Sequence, residues 1–218
     1  TLVTFKDEDL YIANLQENGT WSEREPLPIN SGEWDAHAFF YNEGNSLIYS
    51  SAINSRDGED ADLYIVHKTE GGGWSKPYAI EELNTSENDD SPFVAGDGTL
   101  YFSSKGHDSM GGYDIFRTRL DSATGKFSPP ENMGAPFNLP NDDTFFTLNG
   151  KNAYLSSSRS DGYGMVDIYR IIMFNKSKMQ GRLLDCDGVT PIPNAKIVVM
   201  REDESFETIT DRYGRYSM

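Results

Sequence analysis

A repeat of 53 residues constrains this chain more than any other feature. Leu47-Ile48-Tyr49-Ser50-Ser51 recurs as Leu100-Tyr101-Phe102-Ser103-Ser104 and again as Ala153-Tyr154-Leu155-Ser156-Ser157, each copy 53 residues after the last. A second marker, Asp62-Leu63-Tyr64-Ile65, recurs as Asp114-Ile115-Phe116-Arg117 and Asp167-Ile168-Tyr169-Arg170, with an earlier copy at Asp9-Leu10-Tyr11-Ile12. A third keeps the same step: Trp21-Ser22, Trp74-Ser75, Phe127-Ser128. Three markers holding one period imply a row of like units that stack to bury their apolar faces.

Each unit reads as four short strands joined by Gly- and Asp-rich turns. Residues 1 to about 30 read as the later part of one unit, with Lys6-Asp7-Glu8 as a turn. The second unit runs over 35–83, with strands at 38–41, 47–51, 63–67 and 74–80. The third runs over 88–138, with strands at 92–95, 100–104, 114–119 and 127–132. The fourth starts at Asn141, with strands at 144–148, 153–157 and 166–173. Runs such as Leu47-Ile48-Tyr49 are apolar on both sides, so both faces of the strand are buried. A sheet stacked between two neighbouring sheets meets that demand. The expected fold class is all-β: a β-propeller of four-stranded blades of about 53 residues, its ring incomplete in this chain.

In such a meander the loop between the second and third strands shares a face with the link to the next blade. The loops are 56–60, Gly106-His107-Asp108 and 160–164; the links are Asp35-Ala36-His37, Asn88-Asp89-Asp90 and Asn141-Asp142-Asp143. Acidic residues therefore gather on one face, near the channel mouth. Asp35, His37, Asp89, Asp90, His107, Asp108, Asp142, Asp143 and Asp161 are the candidate partner-binding residues.

The Asp opening each third strand (Asp9, Asp62, Asp114, Asp167) reads as a structural acceptor for backbone N–H groups in a tight turn. The pairs Asp89-Asp90 and Asp142-Asp143 read as solvated turns, as a docking surface for a basic or polar partner, or as an oxygen-rich Ca²⁺ site. No other cofactor is expected, and no metal ligand is assigned. Adjacent carboxylates in a link point in different directions, which suits two-carboxylate catalysis poorly. Asp185-Cys186-Asp187-Gly188 opens like a calcium loop but lacks the later ligands, so it reads as a hairpin turn. His37, His67 and His107 do not have zinc-ligand spacing. Neither a Gly-x-Ser-x-Gly elbow nor a phosphate loop occurs in the sequence. The chain is accordingly expected not to be an enzyme.

The formal net charge of −16 opposes binding to nucleic acid and anionic lipid. It leaves basic proteins, cations and neutral ligands as partners. The single cysteine, Cys186, cannot form an internal disulfide and leaves the redox compartment open. No apolar run approaches the roughly 18 residues of a membrane span, and no signal peptide opens the chain. The start inside a strand-like Leu2-Val3-Thr4-Phe5 reads as a piece of a longer polypeptide.

Several of these motifs also resemble a known family. Tyr101-Phe102-Ser103-Ser104, Gly111-Gly112-Tyr113-Asp114-Ile115-Phe116, the run Phe127-Ser128-Pro129-Pro130-Glu131-Asn132-Met133-Gly134, Phe137-Asn138 and Asn141-Asp142-Asp143 resemble the TolB-like, WD-type propeller repeats of Bacteroidetes envelope proteins. The likeness covers 1–173 and is looser in the first two repeats, where Glu8 and Ala61 precede the Asp. The tail adds Gly181-Arg182-Leu183-Leu184-Asp185, then Thr190-Pro191-Ile192-Pro193-Asn194-Ala195-Lys196-Ile197-Val198-Val199, then Thr210-Asp211-Arg212-Tyr213-Gly214-Arg215-Tyr216. It is similar to the start of a carboxypeptidase regulatory-like domain, a transthyretin-like β-sandwich. The implied division is a propeller segment at 1–173, a joint at 174–178 and the first half of the sandwich at 179–218. This order resembles PorE-type envelope proteins of the OmpA family. The resemblance implies a periplasmic, outer-membrane-associated scaffold of the type IX secretion and gliding machinery, docking envelope proteins through propeller loops. Peptidoglycan binding would belong to a domain absent from this chain. The alternatives are a glycan- or peptide-binding propeller ancillary to an envelope enzyme, or a spacer between outer membrane and peptidoglycan.

Overall fold

The computed structural model describes residues 1–55, 60–121, 123–173, 179–201 and 204–218. Most of the expected loop at 56–60 and the whole joint at 174–178 lie outside the described residues. The chain divides into two compact units, Thr1–Met173 and Phe174–Met218. It is all-β: the described residues form antiparallel strands and one 3-10 turn, Asn42–Gly44, with no α-helix among them.

Among its described residues the first unit contains four small antiparallel sheets, each following chain order. The first joins β1 (Leu2–Lys6), β2 (Asp9–Ala13) and β3 (Glu25–Pro26). The second joins β4 (Asp35–Tyr41), β5 (Ser46–Ser51), β6 (Asp62–His67) and β7 (Tyr78–Ala79). In the third, β8 (Asp89–Val94) and β9 (Thr99–Ser104) lead to β10 (Asp114–Asp121), which carries both β11 (Lys126–Phe127) and β12 (Glu131–Asn132). The fourth joins β13 (Asp143–Asn149), β14 (Asn152–Ser157) and β15 (Asp167–Ile172).

The outermost strands are more broken than the sequence suggests. Where 74–80 and 127–132 read as continuous, the ladder is split between the Lys68–Trp74 bridge and β7, and between β11 and β12. Pro77 and the pair Pro129-Pro130 interrupt these runs, because proline offers no N–H to the ladder. The first strands, in contrast, begin earlier than expected, at Asp35, Asp89 and Asp143.

Each of those first strands contains a β-bulge two residues after its Asp. Pairing slips between Ala36 and Phe39, between Asp90 and Phe93, and between Thr144 and Thr147. The bulged residues His37, Ser91 and Phe145 have φ of 49°, 52° and 54°. Such left-handed backbone is uncommon for non-glycine residues and re-aims a side chain. Here the same local bend is built three times.

The apolar core lies between the sheets. Leu10, Leu27 and Ile29 meet Leu47, Tyr49, Tyr64 and Val66 between the first and second. Ile48, Leu63, Ile65, Ile80 and Leu83 meet Leu100, Phe102 and Phe116 between the second and third. Tyr101 and Ile115 meet Phe146 and Ala153 between the third and fourth. Successive residues of β5 and β9 thus point to opposite neighbours, and every residue of both strands is buried. The fourth sheet is buried on one side only: Leu155 is inside, whereas Tyr154 and Ile168 are exposed.

Among its described residues the second unit contains two two-stranded antiparallel sheets. β16 (Gln180–Arg182) pairs β19 (Arg215–Ser217), and β17 (Lys196–Arg201) pairs β18 (Glu204–Ile209). Buried Thr210 ties them to the preceding loop: its Oγ1 accepts from Ala195 N and donates to Ile192 O, each at 2.8 Å. Gly214 takes φ 70°, and a Cβ there would lie 2.3 Å from Leu183 O. Only glycine fits that approach. Asp187 Oδ1 accepts the Val189 and Thr190 amides at 2.8 Å, so its carboxylate closes its own turn.

Candidate functional site at the strand starts

The links between sheets and the loops after each second strand meet at one end of the first unit. The amides of Asp35, Asp89 and Asp143 donate to the carbonyls of Glu8, Ala61 and Tyr113, the residues just before β2, β6 and β10 of the previous sheet. The same three carboxylates turn back on the chain. Asp35 accepts from Ser31 N, Asp89 from Thr85 N at 2.6 Å, and Asp143 from Leu139 N at 2.8 Å. Each therefore stitches one sheet to the next and caps the turn that leads into it.

This stitching corrects part of the sequence reading. Asp35, Asp89 and Asp143 are completely buried and are not surface contacts. Their place in the fold follows a step of 54 residues, not 53, so the two Asp pairs are out of register with each other. Asp89 matches Asp143, while Asp142 matches Asn88. Asn88 Oδ1 accepts from Ala61 N at 2.7 Å, and Asp142 Oδ1 accepts from Tyr113 N at 2.9 Å. Burial pushes the Asp89 carboxyl up to about 6, against the Thr85 hydrogen bonds that favour its charged form.

The other candidates have separate fates. His107 donates from Nε2 to Leu83 O at 2.9 Å and leans on Phe102 and Phe116. Asp108 is exposed, and its backbone oxygen accepts from Asn132. Asp161 is exposed and accepts from the Tyr169 hydroxyl at 3.1 Å. Asp142 keeps an exposed side chain. Among the third-strand residues, Asp114 accepts from Met110 N at 2.6 Å, and Asp167 from Tyr163 N at 2.7 Å and Gly164 N at 3.0 Å. Among the described residues, no group of three or more His, Cys, Asp or Glu is placed to hold a metal ion. No helix among them is long and apolar enough to cross a membrane.

The structure unites His37 and Asp90 most closely. His37 Nδ1 lies 2.7 Å from Asp90 Oδ1. Burial opposes the charged form of Asp90. The bond and charge of His37 and the Ser91 amide outweigh it and hold the carboxyl below its ordinary value. Three aromatic rings surround His37. Phe145 meets it edge-on at 4.7 Å, Trp34 at 5.2 Å, and Phe5 lies at 6.3 Å. Phe5 and Phe145 are almost half exposed. On the acidic side, burial and the nearby carboxylates of Asp90, Asp142, Asp89 and Asp60 all push the Tyr113 hydroxyl upward. Lys105 Nζ sits 4.7 Å over the Tyr113 ring.

Two sets of residues escaped the sequence reading. Asn30, Asn84 and Asn138 clip β2, β6 and β10 respectively. Each accepts the amide and donates to the carbonyl of one residue: Leu10, Leu63 and Ile115 respectively, at 2.8–3.0 Å. Their signal was an apolar-Asn pair at steps of 54: Ile29-Asn30, Leu83-Asn84, Phe137-Asn138. The rings of Phe5, Trp34 and Phe145 carried no such signal, since they come from separate segments and meet around His37, itself at a bulge.

The chain matches no protein-family model and no curated protein. It is similar to a solved structure described as a thermostable family-43 glycoside hydrolase, at 14% identity and a TM-score of 0.43, over 80% of this chain and 71% of that one. The expectation that the chain is not an enzyme is corrected on that finding. At this identity and TM-score, neither that protein's activity nor its site is carried over.

Proposed function

We propose that the stacked meanders of the first unit are consecutive blades of a β-propeller, and that the end where their first strands start docks partner proteins of the cell envelope. The observation that carries this reading is the partly exposed aromatic group around His37, in which His37 and Phe145 themselves have left-handed backbone, with φ of 49° and 54°. Backbone strain of this kind concentrates at binding and catalytic sites. Exposed clustered aromatics beside satisfied polar groups are the composition of interface anchors. The TolB-like repeat motifs and the carboxypeptidase regulatory-like motifs of 179–218 support a periplasmic, outer-membrane-associated setting and a partner from the type IX secretion machinery. The docking residues in this reading are His37 and Asp142, with Phe5, Trp34 and Phe145, and buried Asp90 holds the His37 ring in place. Asp35, Asp89 and Asp143 support them from within.

The test is capture of partners from envelope extracts on the immobilised chain, compared with a Trp34→Ala/Phe145→Ala variant. Partners retained by the parent chain and lost by the variant support the reading. Equal capture by both chains overturns it.

A further inference from the structure

β2, β6 and β10 are closed on their outer edge in one way. A two-residue strand pairs there: Glu25–Pro26 with Ile12 and Tyr11, Tyr78–Ala79 with Ile65 and Tyr64, Glu131–Asn132 with Arg117 and Phe116. The next amide, of Leu27, Ile80 or Met133, donates to the carbonyl of Leu10, Leu63 or Ile115. The asparagine clip then holds that same residue. The apolar residues of the segment pack beside it, as Leu27 and Ile29 do with Leu10, and Ile80 and Leu83 with Leu63.

β15 is the matching strand of the fourth sheet. Its Asp167-Ile168-Tyr169-Arg170 repeats the Asp114-Ile115-Phe116-Arg117 of β10, and it pairs β14 in the register in which β10 pairs β9. Yet among the described residues no strand lies on its outer edge and no asparagine clips Ile168. One step of 54 beyond Phe137-Asn138 stand Pro191 and Ile192, which belong to the second unit. Ile168 is left 79% exposed. Arg170 is exposed too, and no described residue pairs its charge. Its counterpart Arg117 holds Glu131 of the outer strand at 2.9 Å. An open strand edge is a template for another strand, and strand addition is a recurring mode of peptide recognition. The three closed sheets show what fits the open one. We propose that the outer edge of β15 takes an extended segment of another polypeptide, with an acid opposite Arg170, an apolar residue against Ile168 and an asparagine that clips the Ile168 backbone. The His37 group plays no part in it, so it stands or falls apart from the docking reading above.

The probe is a synthetic peptide of residues 129–140, the outer segment of β10, added to the full chain. Anisotropy of the labelled peptide and hydrogen exchange of the β15 amides are read together. A dissociation constant on the order of 10–100 μM is expected. With peptide at about ten times that concentration, exchange at Ile168 should slow about tenfold. A peptide carrying Asn138→Ala should bind at least about fivefold more weakly. Arg170→Glu in the chain should weaken the parent peptide about threefold, and Glu131→Arg in the peptide should restore it. The Arg170 side chain is exposed, and the asparagine comparison alters only the peptide. Absence of saturable binding, protection that spares β15, equal binding of the Asn138→Ala peptide, or a charge swap that restores nothing overturns the proposal. A dimer of the chain that protects the same amides without peptide gives the edge to a second copy, and overturns it as well.

Discussion

His37 Nδ1 and Asp90 Oδ1, 2.7 Å apart, join the first strand of one sheet to the first strand of the next. The bond exists because a bulge turns His37 out of the ladder and toward its neighbour. Asp90 is buried, so losing its partner leaves a carboxylate short of donors. His37→Asn keeps a residue that tolerates left-handed backbone and removes the contact. It is expected to destabilise the chain by about 1.5–3 kcal/mol near neutral pH, read from urea unfolding. The contribution is complete above the ordinary carboxylate value of 3.8 and disappears as the pH falls through the lowered value of the folded chain. The gap between parent and variant should therefore shrink in acid. A gap of constant size across that range would show that Asp90 does not depend on His37.

The asparagine clips predict a second effect. Asn138 is wholly buried and satisfies both the amide and the carbonyl of Ile115. Asn138→Ala strands both groups away from water, at about 2–4 kcal/mol. Asn138→Asp keeps an acceptor for the amide but offers nothing to the carbonyl and buries a charge, so it should cost at least as much. Asn30→Ala, at a partly exposed site, should cost less. Equal urea midpoints for the parent and Asn138→Ala would refute the clip.

Much of this architecture was legible because it repeats. Ile48 and Tyr49 are adjacent and both apolar, and the structure buries one against the next sheet and the other against the previous one. The step of 53 residues located the second and third strands but misaligned the first strands, whose Asp residues step by 54. Hence Asp89 looked like a loop acid, when its carboxylate in fact closes the Thr85 turn inside the protein. Pro77 and Pro129-Pro130 announced broken outer strands in plain view. His37 and Asp90 were named from the sequence, but the rings around His37 were not legible. Phe145 and His37 are distant in sequence, and only the bend at each bulge decides that their rings touch.

Asp89 should make stability depend on pH in the opposite sense from Asp90. In the folded chain its carboxyl keeps its proton up to about pH 6, whereas the unfolded chain releases it near 3.8. Between those values the folded state binds more protons, so stability falls as the pH rises. The favourable term is complete below 3.8 and is lost as the pH passes about 6. Its size is on the order of 2–3 kcal/mol. Asp89→Asn preserves an acceptor for Thr85 N and removes the titration. Stability of the variant relative to the parent should therefore rise between about pH 4 and pH 7. A flat difference would place the titration elsewhere.

Ile115 and Ile168 occupy the same position in consecutive sheets, yet one is 0% exposed and the other 79%. Ile115 is covered because the fourth sheet supplies Phe146 and Ala153 against it. Ile168 has the same backbone setting, opposite Ser156 as Ile115 is opposite Ser103, but among the described residues of the first unit no further sheet follows it. If stacking between sheets, and not strand pairing within them, supplies most of the stability, the two positions must respond differently to one substitution. Ile115→Ala is expected to cost about 2–5 kcal/mol through lost burial and the cavity left behind. Ile168→Ala is expected to stay within about 0.5 kcal/mol. Denaturant unfolding of the two variants decides the matter. Comparable losses would mean that Ile168 is covered in solution, and that another surface packs on the outer face of the fourth sheet.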